Sequence, residues 1–153
     1  MSTAFIGIGS NLGNREGNCF RATGLLGTKG LRVEKQSSLY ETAPWGEKNQ
    51  PLFLNMAVEI QTDCTPEELL RLLKEIESEL GREKMYKWGP RVIDLDILVF
   101  DNLIMNGHGL CIPHPLMHKR DFVLKPLAEL APDMLHPVLN VSIGELLQQL
   151  DTL

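Results

Sequence analysis

Two aspartates stand inside a run of apolar residues near the middle of the chain. In a β-strand, residues two apart face the same side, so Asp94 and Asp96 would project together while Ile93, Leu95 and Ile97 face the other side. Two carboxylates this close disfavour each other's ionisation unless a cation lies between them. Magnesium suits the pair, because it takes hard oxygen ligands and commonly binds through one or two carboxylates with water and substrate phosphates. The alternative is an edge strand whose solvated face carries aspartates that discourage aggregation.

A basic segment directly precedes these aspartates. Four cations, Arg82, Lys84, Lys87 and Arg91, stand against the single acid Glu83, a local balance of four minus one, or +3, in a chain whose formal net charge is −5. Bound cations and Arg or Lys side chains both neutralise transferring phosphoryl groups, so the combination predicts a polyphosphate substrate. The alternative is a solvated loop.

Three further features bear on the chemistry. Residues 7–13 have the wrong spacing for G-x-G-x-x-G and lack the Lys-Ser/Thr of a Walker A motif, which favours a tight strand-to-helix turn. His114 and His118 lie four residues apart without an HExxH glutamate, so a phosphate or base contact by His114 is favoured over zinc. Trp45 and Trp88 fall in polar loops with Gly and Pro, where aromatic side chains can cover a ligand instead of filling the core.

Composition limits the class of protein. The 153 residues, 43% of them hydrophobic, can bury one core, and we expect a single domain over residues 1–153. The charge of −5 and the 6% aromatic content argue against a nucleic-acid or anionic-membrane surface. No apolar run approaches the roughly 18 to 20 residues that span a bilayer, and the N-terminus lacks the basic region of a signal peptide. Cys19, Cys64 and Cys111 form no CxxC pair, which favours burial as apolar side chains in a reducing compartment, so we expect a soluble cytoplasmic protein.

The apolar pattern predicts the elements that would position these side chains. In chain order they are a strand at 4–8, a helix at 15–26, strands at 31–40 and 53–62, a helix from Pro66 to a stop at Gly81, and the strand of the two aspartates. Thr65 and Glu68 supply an N-cap and a capping box for the second helix. The order β-α-β-β-α-β is typical of a ferredoxin-like α+β fold, an antiparallel sheet with helices packed on it. Prolines should break the C-terminal extension into short pieces before a last helix at 143–150.

The second predicted helix has two distinct faces. Its core stripe comprises Leu69, Leu72, Leu73, Ile76 and Leu80. Leu70, Lys74 and Glu77 follow one flank at the i, i+4, i+7 spacing, so we expect that flank to line a cleft.

Seven segments, in order along nearly the whole chain, resemble the 6-hydroxymethyl-7,8-dihydropterin pyrophosphokinases. They are 9–13 (Gly-Ser-Asn-Leu-Gly), 40–46 (Tyr-Glu-Thr-Ala-Pro-Trp-Gly), 50–55 (Gln-Pro-Leu-Phe-Leu-Asn), 81–82 (Gly-Arg), 88–97 (Trp-Gly-Pro-Arg-Val-Ile-Asp-Leu-Asp-Ile), 113–115 (Pro-His-Pro) and 120–122 (Arg-Asp-Phe). The pattern Trp-Gly-Pro-Arg-x-x-Asp-x-Asp is highly specific to that family. The resemblance implies a ferredoxin-like fold and transfer of pyrophosphate from ATP to the hydroxymethyl group of a dihydropterin, with release of AMP, in folate synthesis.

The resemblance also implies roles for individual residues. Asp94 and Asp96 would bind two Mg²⁺ ions on the triphosphate, at least one of which arrives with ATP. The catalytic residues would be Arg82, Arg91, Asp94 and Asp96. The pterin-binding residues would be Thr42, Ala43, Pro44, Trp45, Phe53, Asn55 and Phe122. The ATP-binding residues would be Leu70, Lys74, Glu77, Lys84, Lys87, Trp88, Ile97, Leu110, Cys111, His114 and Arg120. Lys84 and Lys87 depart from the family's frequent arginines, and lysine keeps the charge but loses the bidentate fork.

Two other classes of function stay open on the residues alone. A metal-dependent phosphohydrolase that uses the same aspartates would release inorganic phosphate from ATP. A ferredoxin-like regulatory module would bind a small ligand without reaction. For the pyrophosphokinase, we expect the loops at 42–52 and 82–90 to close over the nucleotide. We also expect a monomer whose partners are ATP and the pterin, without nucleic acid or membrane.

Overall fold

The computed structural model describes residues 1–42, 51–81, 92–107 and 109–151. Its strands are β1 (Ser2–Ser10), β2 (Arg32–Gln36), β3 (Tyr40–Thr42), β4 (Phe53–Thr62), β5 (Asp94–Phe100), β6 (Met105–Gly107) and β7 (Leu110–Ile112). Its helices are α1 (Arg15–Thr28), α2 (Pro66–Glu79), α3 (Asp121–Leu130) and α4 (Ile143–Asp151), with a 3₁₀ turn at Met117–Lys119.

β1 occupies the middle of an antiparallel sheet, because it pairs with β4 on one side and with β5 on the other. The strand order is β2-β4-β1-β5; β3 also pairs with β4, and β6 and β7 form a separate hairpin. The register sets Gly9 between Asn55 of β4 and Asp94 of β5, and Gly7 opposite Asp96. Candidate residues from three parts of the chain therefore lie on neighbouring strands.

Local capping explains where α1 and α2 begin. The Thr65 hydroxyl oxygen accepts a hydrogen bond from the Glu68 amide at 3.1 Å, and the Glu68 carboxylate accepts one from the Thr65 amide at 2.9 Å. This capping box and the proline that follows it confirm the predicted start of α2. The predicted stop, Gly81, lies just past the helix with a φ of 86°, a conformation that glycine adopts without strain. At α1, the Asn14 side chain accepts from the Gly17 amide at 3.0 Å.

Each face of the sheet carries its own core. On one face, α1 and α2 cover alternate residues of β1, β4 and β5, including Ile6, Val58, Leu95 and Ile97, and also Ile93 just before β5. On the other face, α3 and α4 pack against Phe5, Leu98 and Val99. Packing fixes the orientation of every central strand, since a slip of one residue would exchange the two faces.

The carboxylate of Glu129 connects α3 to β3 and to the residues just before that strand. Glu129 accepts hydrogen bonds from the Tyr40 hydroxyl at 2.6 Å and from the Ser38 amide at 3.1 Å. The hydrogen bond from the Tyr40 hydroxyl to Glu129 raises the pKa of Tyr40 to about 12, and burial and the Glu129 charge make smaller contributions. The contacts hold α3 beside β3 and β4.

Three predictions from the sequence need correction. The strand predicted at 31–40 is two strands, because the Ser37 hydroxyl replaces a backbone acceptor by binding the Ala57 amide at 2.9 Å, which interrupts the ladder. The extension is not broken throughout by its prolines: α3 runs through Pro126, and burial of Leu124 and Leu127 offsets the lost helical hydrogen bond. The prediction that the cysteines are buried is fully confirmed only for Cys19, since Cys64 and Cys111 are half-buried.

Burial raises the pKa of the Cys19 thiol to about 11, partly opposed by Arg15. No helix among the described residues is both long enough and apolar enough to cross a membrane.

Candidate active site

Asp94 and Asp96 lie on the sheet face opposite α1 and α2. Ile93, Leu95 and Ile97 all belong to the core that those helices cover, so the alternation of β5 sends the half-buried aspartates the other way. This confirms the predicted division of the strand into a packed face and a carboxylate face.

Glycines on β1 keep the face beside the aspartates open. A β-carbon added at Gly9 would lie 2.7 Å from the Asn55 side-chain oxygen and 3.6 Å from a ring carbon of Phe53. At Gly7, opposite Asp96, an added β-carbon would meet Leu98 at 3.4 Å. The sequence predicts only a turn at Gly9. In the structure, Gly9 forms an open strip of the sheet, called here the glycine floor, between the aspartates and the predicted pterin residues.

The predicted pterin residues Thr42, Phe53 and Asn55 gather on the other side of that floor. Asn55 is 8% exposed, and its amide nitrogen donates to the Thr42 hydroxyl at 2.7 Å. Asn55 and Asp94 both lie opposite Gly9 in the register, so two strand spacings, about 10 Å, separate them. That separation leaves room for a bicyclic ring whose substituent points at the aspartates.

Arg120 and Phe122 reach the same face from the start of α3. The guanidinium carbon of Arg120 lies 5.5 Å from the centre of the Phe122 ring, within the range of a cation–π contact. Burial lowers the pKa of Arg120, and the charges of Asp96 and then Asp94 partly counteract this. The Arg120 guanidinium therefore places a positive charge close to the two carboxylates.

His114 is a neutral hydrogen-bond donor. Its backbone amide donates to Leu98 at 2.9 Å, which fixes it next to β5, and its ring nitrogen Nδ1 accepts from the Leu116 amide at 3.3 Å. Burial lowers its pKa to about 4, with a smaller effect from the Arg120 charge. At neutral pH the single ring proton therefore lies on Nε2, which can donate but cannot act as a base.

The predicted adenosine residues divide between two environments. Ile97 is buried in the core beneath α1 and α2, and Leu70 and Leu110 pack against that core. Cys111 lies beside Leu110 on β7, with its sulfur 3.7 Å from the Pro113 carbonyl oxygen. Leu70, Leu110 and Cys111 are half-buried, whereas Ile97 is only 4% exposed.

The flank predicted on α2 is less uniform than its spacing suggests. Leu70 is half-buried and Lys74 is exposed, and both line an open groove that also includes Lys29 and Ser78. Glu77 is 5% exposed, and its carboxylate accepts a hydrogen bond at 2.9 Å from the amide of Leu95, the residue between the two aspartates. Its position over the edge of β5 explains why the third residue of the flank is buried.

Eight predicted site residues lie outside the described part of the chain. They are Ala43, Pro44, Trp45, Arg82, Lys84, Lys87, Trp88 and Arg91.

The donor set of Asp94 and Asp96 fits a hard divalent cation. No group of three or more His, Cys, Asp or Glu side chains able to hold a metal occurs among the residues that the structure describes. Two carboxylates on one face instead match the binding habit of Mg²⁺, which draws its remaining ligands from water and phosphate.

Three polar residues near the start of α1 were not identified from the sequence as relevant to the site. The side-chain amide of Asn11 donates to the Pro51 carbonyl at 3.0 Å, and the Arg15 guanidinium donates to the Leu52 carbonyl at 2.8 Å. The Asn18 amide reaches the Val92 carbonyl at 3.3 Å. For Asn18, a polar residue on the buried side of α1 was the signal in the sequence.

The chain is similar to proteins of one known family. The family model for 7,8-dihydro-6-hydroxymethylpterin-pyrophosphokinase (HPPK) matches residues 5–132. The chain is 40% identical over 145 residues to the 2-amino-4-hydroxy-6-hydroxymethyldihydropteridine pyrophosphokinase of Aquifex aeolicus. This match covers 95% of this chain and 90% of the relative. It is 50% identical over 128 residues to the protein of the same name from Bacillus subtilis, with 83% of this chain and 77% of the relative covered.

A solved structure of Plasmodium falciparum HPPK-DHPS with pteroate has the same fold, with a TM-score of 0.77 at 19% identity. The likeness covers 97% of this chain and 42% of that one, so this chain spans less than half the length of that protein. From the family model and the two bacterial relatives, the chain belongs to the 7,8-dihydro-6-hydroxymethylpterin-pyrophosphokinase family.

Proposed function

We propose that the chain transfers the terminal pyrophosphoryl group of ATP to the 6-hydroxymethyl group of 7,8-dihydropterin, releasing AMP, in folate biosynthesis. One observation carries the proposal beyond family membership. The aspartate pair, coupled to Arg120, shares a sheet face with the Asn55–Thr42 pair across a glycine floor. The aspartates, which could hold a cation for the phosphates, thus lie about 10 Å, two strand spacings, from a polar site suited to a heterocycle.

The pterin would bind between Phe53 and Phe122. Offset stacking on aromatic rings suits a flat heterocycle, and the Asn55 amide, held by Thr42, presents hydrogen-bonding groups to its edge. A fixed amide discriminates well, because a ligand without the matching groups would leave it unpaired. Ala43, Pro44 and Trp45, which directly follow Thr42, stay predicted members of this pocket.

Asp94 and Asp96 would hold Mg²⁺, two ions in the full complex, of which at least one arrives with ATP. When bound, the metal neutralises phosphate charge and polarises the reacting oxygens. Arg120 and the Nε2–H of His114 would bind phosphate oxygens from the side of α3. Arg82, Lys84, Lys87, Trp88 and Arg91 stay predicted ATP-binding or catalytic residues on the segment that leads into β5.

The adenosine would lie along the outer side of β5. Leu70, Leu110 and Cys111 would offer the apolar surface, with Ile97 in the core behind it, while Lys74 and Glu77 would offer polar groups from α2. Glu77 contributes a carboxylate whose position is already set by its bond to Leu95.

The reaction follows from these positions. The hydroxymethyl oxygen attacks the β-phosphorus of ATP and gives up its proton to solvent. A new oxygen–phosphorus bond forms, and the bond from that phosphorus to the α,β-bridging oxygen breaks as AMP leaves. Asp94 and Asp96 orient the reacting groups, and Arg120 stabilises charge on the transferred oxygens. His114 serves as a donor in this scheme, because its Nδ1 already accepts the Leu116 amide.

The wider architecture is proposed on similar grounds. The strand order and the two helices on one face support a ferredoxin-like βαββαβ unit, with β2 and β3 as a broken second strand and α3 and α4 as the extension. We further propose one domain over residues 1–153, a monomer that binds neither nucleic acid nor membrane, and a cytoplasmic location.

Product analysis tests the proposal. The purified chain is incubated with ATP, Mg²⁺ and 6-hydroxymethyl-7,8-dihydropterin, and phosphorus NMR identifies the products. The proposal predicts AMP and a diphosphorylated pterin in equal amounts. Release of inorganic phosphate with the pterin unchanged would indicate a phosphohydrolase, and saturable binding without any product would indicate a regulatory module.

A further inference from the structure

The start of α1 contacts the chain on both sides of the candidate site, and Asn18 is the centre of these contacts. Its side chain points inward and is 7% exposed, so its amide hydrogens need partners inside the protein. The amide nitrogen lies 3.2 Å from the Ser10 hydroxyl oxygen, 3.0 Å from the Leu12 carbonyl oxygen and 3.3 Å from the Val92 carbonyl oxygen. Because the amide has two hydrogens for these three acceptors, one hydrogen is shared. The bonds to Ser10 and Leu12 hold the β1–α1 turn, and the bond to Val92 joins that turn to the chain at β5.

Val92 occupies a sensitive position. It directly follows Arg91, a predicted phosphate ligand, and precedes Asp94 by two residues. Its carbonyl marks where the chain enters the sheet, because Ile93 is fully buried and β5 begins at the next residue. A shift of the Val92 peptide would change the direction of Asp94 relative to Asp96 and Arg120.

The same turn holds the pterin side. Asn11 donates to the Pro51 carbonyl, and Arg15 both donates to the Leu52 carbonyl and pairs with Glu41 at 3.0 Å. Pro51 and Leu52 lead directly into Phe53, and Glu41 directly precedes Thr42. The turn is therefore a common support for the chain on both sides of the glycine floor.

We propose that Asn18 is a positioning residue for pyrophosphoryl transfer: through the Val92 carbonyl, its side-chain amide fixes the direction of Asp94. It acts through other residues, since its buried amide is engaged with Ser10, Leu12 and Val92. Misplacement of a reacting group by about 1 Å can cost about 10²-fold in rate, so a tie of this kind can matter without touching substrate. The kinetic part of this inference rests on the proposed function.

The test replaces Asn18 with leucine, which has a similar size but no donor. The matched control is Thr23→Val in the same helix, because the Thr23 hydroxyl donates to the Cys19 carbonyl at 3.1 Å and also lies 3.9 Å from the Met56 sulfur on β4, both away from Val92 and β5. We expect Asn18→Leu to lower kcat about tenfold or more and to raise the Mg²⁺ concentration needed for half-maximal rate. Any rise in the pterin KM should be smaller than the fall in kcat, because Asn11 and Arg15 keep their own bonds to Pro51 and Leu52. Thr23→Val should leave all three values near wild type.

A second readout does not depend on turnover. The Ile93 amide shares a peptide group with the Val92 carbonyl, so its nitrogen and proton chemical shifts should move in Asn18→Leu and stay unchanged in Thr23→Val. If Asn18→Leu does not fold, Asn18→Ser, which is too short to reach Val92, replaces it.

Wild-type kcat in Asn18→Leu, an equal loss in Thr23→Val, or an unmoved Ile93 resonance would each overturn the proposal. Absence of AMP formation by the wild-type chain would instead overturn the proposed function, while the Ile93 shift would still decide whether Asn18 fixes Val92.

Discussion

Contacts decide the chemical state of each candidate residue. Asp94 and Asp96 share one face with the Arg120 guanidinium, which makes two neighbouring carboxylates tolerable before any cation binds. Asn55 is oriented by Thr42. His114 is kept neutral by burial, with its remaining proton directed away from Leu116. These settings suit a site that works by placement and electrostatics, with no protein base required.

Replacement of Asp96 by asparagine should lower the rate of AMP formation by at least about 10²-fold, because the shape is kept while half of the cation-binding charge is lost. Steady-state kinetics at saturating Mg²⁺ measures the effect. The matched control is Asp101→Asn: Asp101 is exposed at the other end of β5, and its φ of 49° is a conformation that asparagine accepts. Asp96→Asn with near-normal activity would contradict the assignment of Asp96.

An alanine at Gly9 should raise the KM for the pterin about tenfold or more, because its β-carbon would displace the Asn55 side chain, 2.7 Å away. Competition binding with a pterin analogue measures the same loss without turnover. Gly24→Ala is the control, since a β-carbon there meets nothing within 4 Å and alanine favours the helix. Unchanged pterin affinity in Gly9→Ala would show that the ring does not lie against this part of the sheet.

His114 should make the free energy of unfolding fall as the pH is lowered. Its pKa of about 4 in the folded chain lies below the ordinary 6.5, so the unfolded state binds more protons between those two values. Stability attributed to His114 is thus present above pH 6.5 and is lost as the pH falls through this window. Urea unfolding across the window should show a smaller loss in His114→Gln than in wild type. Burial also lowers the pKa of His136, but His136 is present in both proteins and cancels. Equal losses would refute the pKa assigned to His114.

At the scale of elements, the predictable parts are those with local causes. The capping signals around Thr65 and the glycine at 81 place α2, and the apolar run places β4 at Phe53–Thr62 as predicted. The break at Ser37 depends on a hydrogen bond to β4, and α3 survives Pro126 through tertiary burial, so neither has a local signal. At the site, the face of Asp94 and Asp96 follows from strand periodicity, whereas the Asn18–Val92 contact joins positions 74 residues apart.

Loss of the α2 cap should reduce stability without changing the chemistry. Thr65→Ala removes the side-chain half of the capping box and should lower the free energy of unfolding by about 1 kcal/mol. Urea unfolding gives this value, and kcat should stay at the wild-type level because the core face of α2 remains packed. Ser142→Ala is a matched comparison, since the Ser142 hydroxyl oxygen accepts the Glu145 amide at 3.2 Å at the start of α4. A stability loss confined to Ser142→Ala would mean that the Thr65 cap contributes nothing.

For the whole molecule, the central feature is a sheet with different partners on its two faces. One face is covered by α1 and α2 and carries the larger core. The other is covered in part by α3 and α4, and α3 brings Arg120 and Phe122 to the carboxylates of β5. The fold thereby joins a heterocycle site and a phosphate site across β1, and pyrophosphoryl transfer is the activity proposed for that pairing.

The most direct measurement follows both transferable phosphorus atoms of ATP at once. ATP labelled with two distinguishable phosphorus isotopes, one at the β position and one at the γ position, is mixed with Mg²⁺, 6-hydroxymethyl-7,8-dihydropterin and the protein, and the products are separated. Pyrophosphoryl transfer predicts both isotopes in the pterin product, in the ratio of the starting ATP, with unlabelled AMP. The γ isotope alone in the pterin, or either isotope in inorganic phosphate with the pterin unmodified, would contradict it.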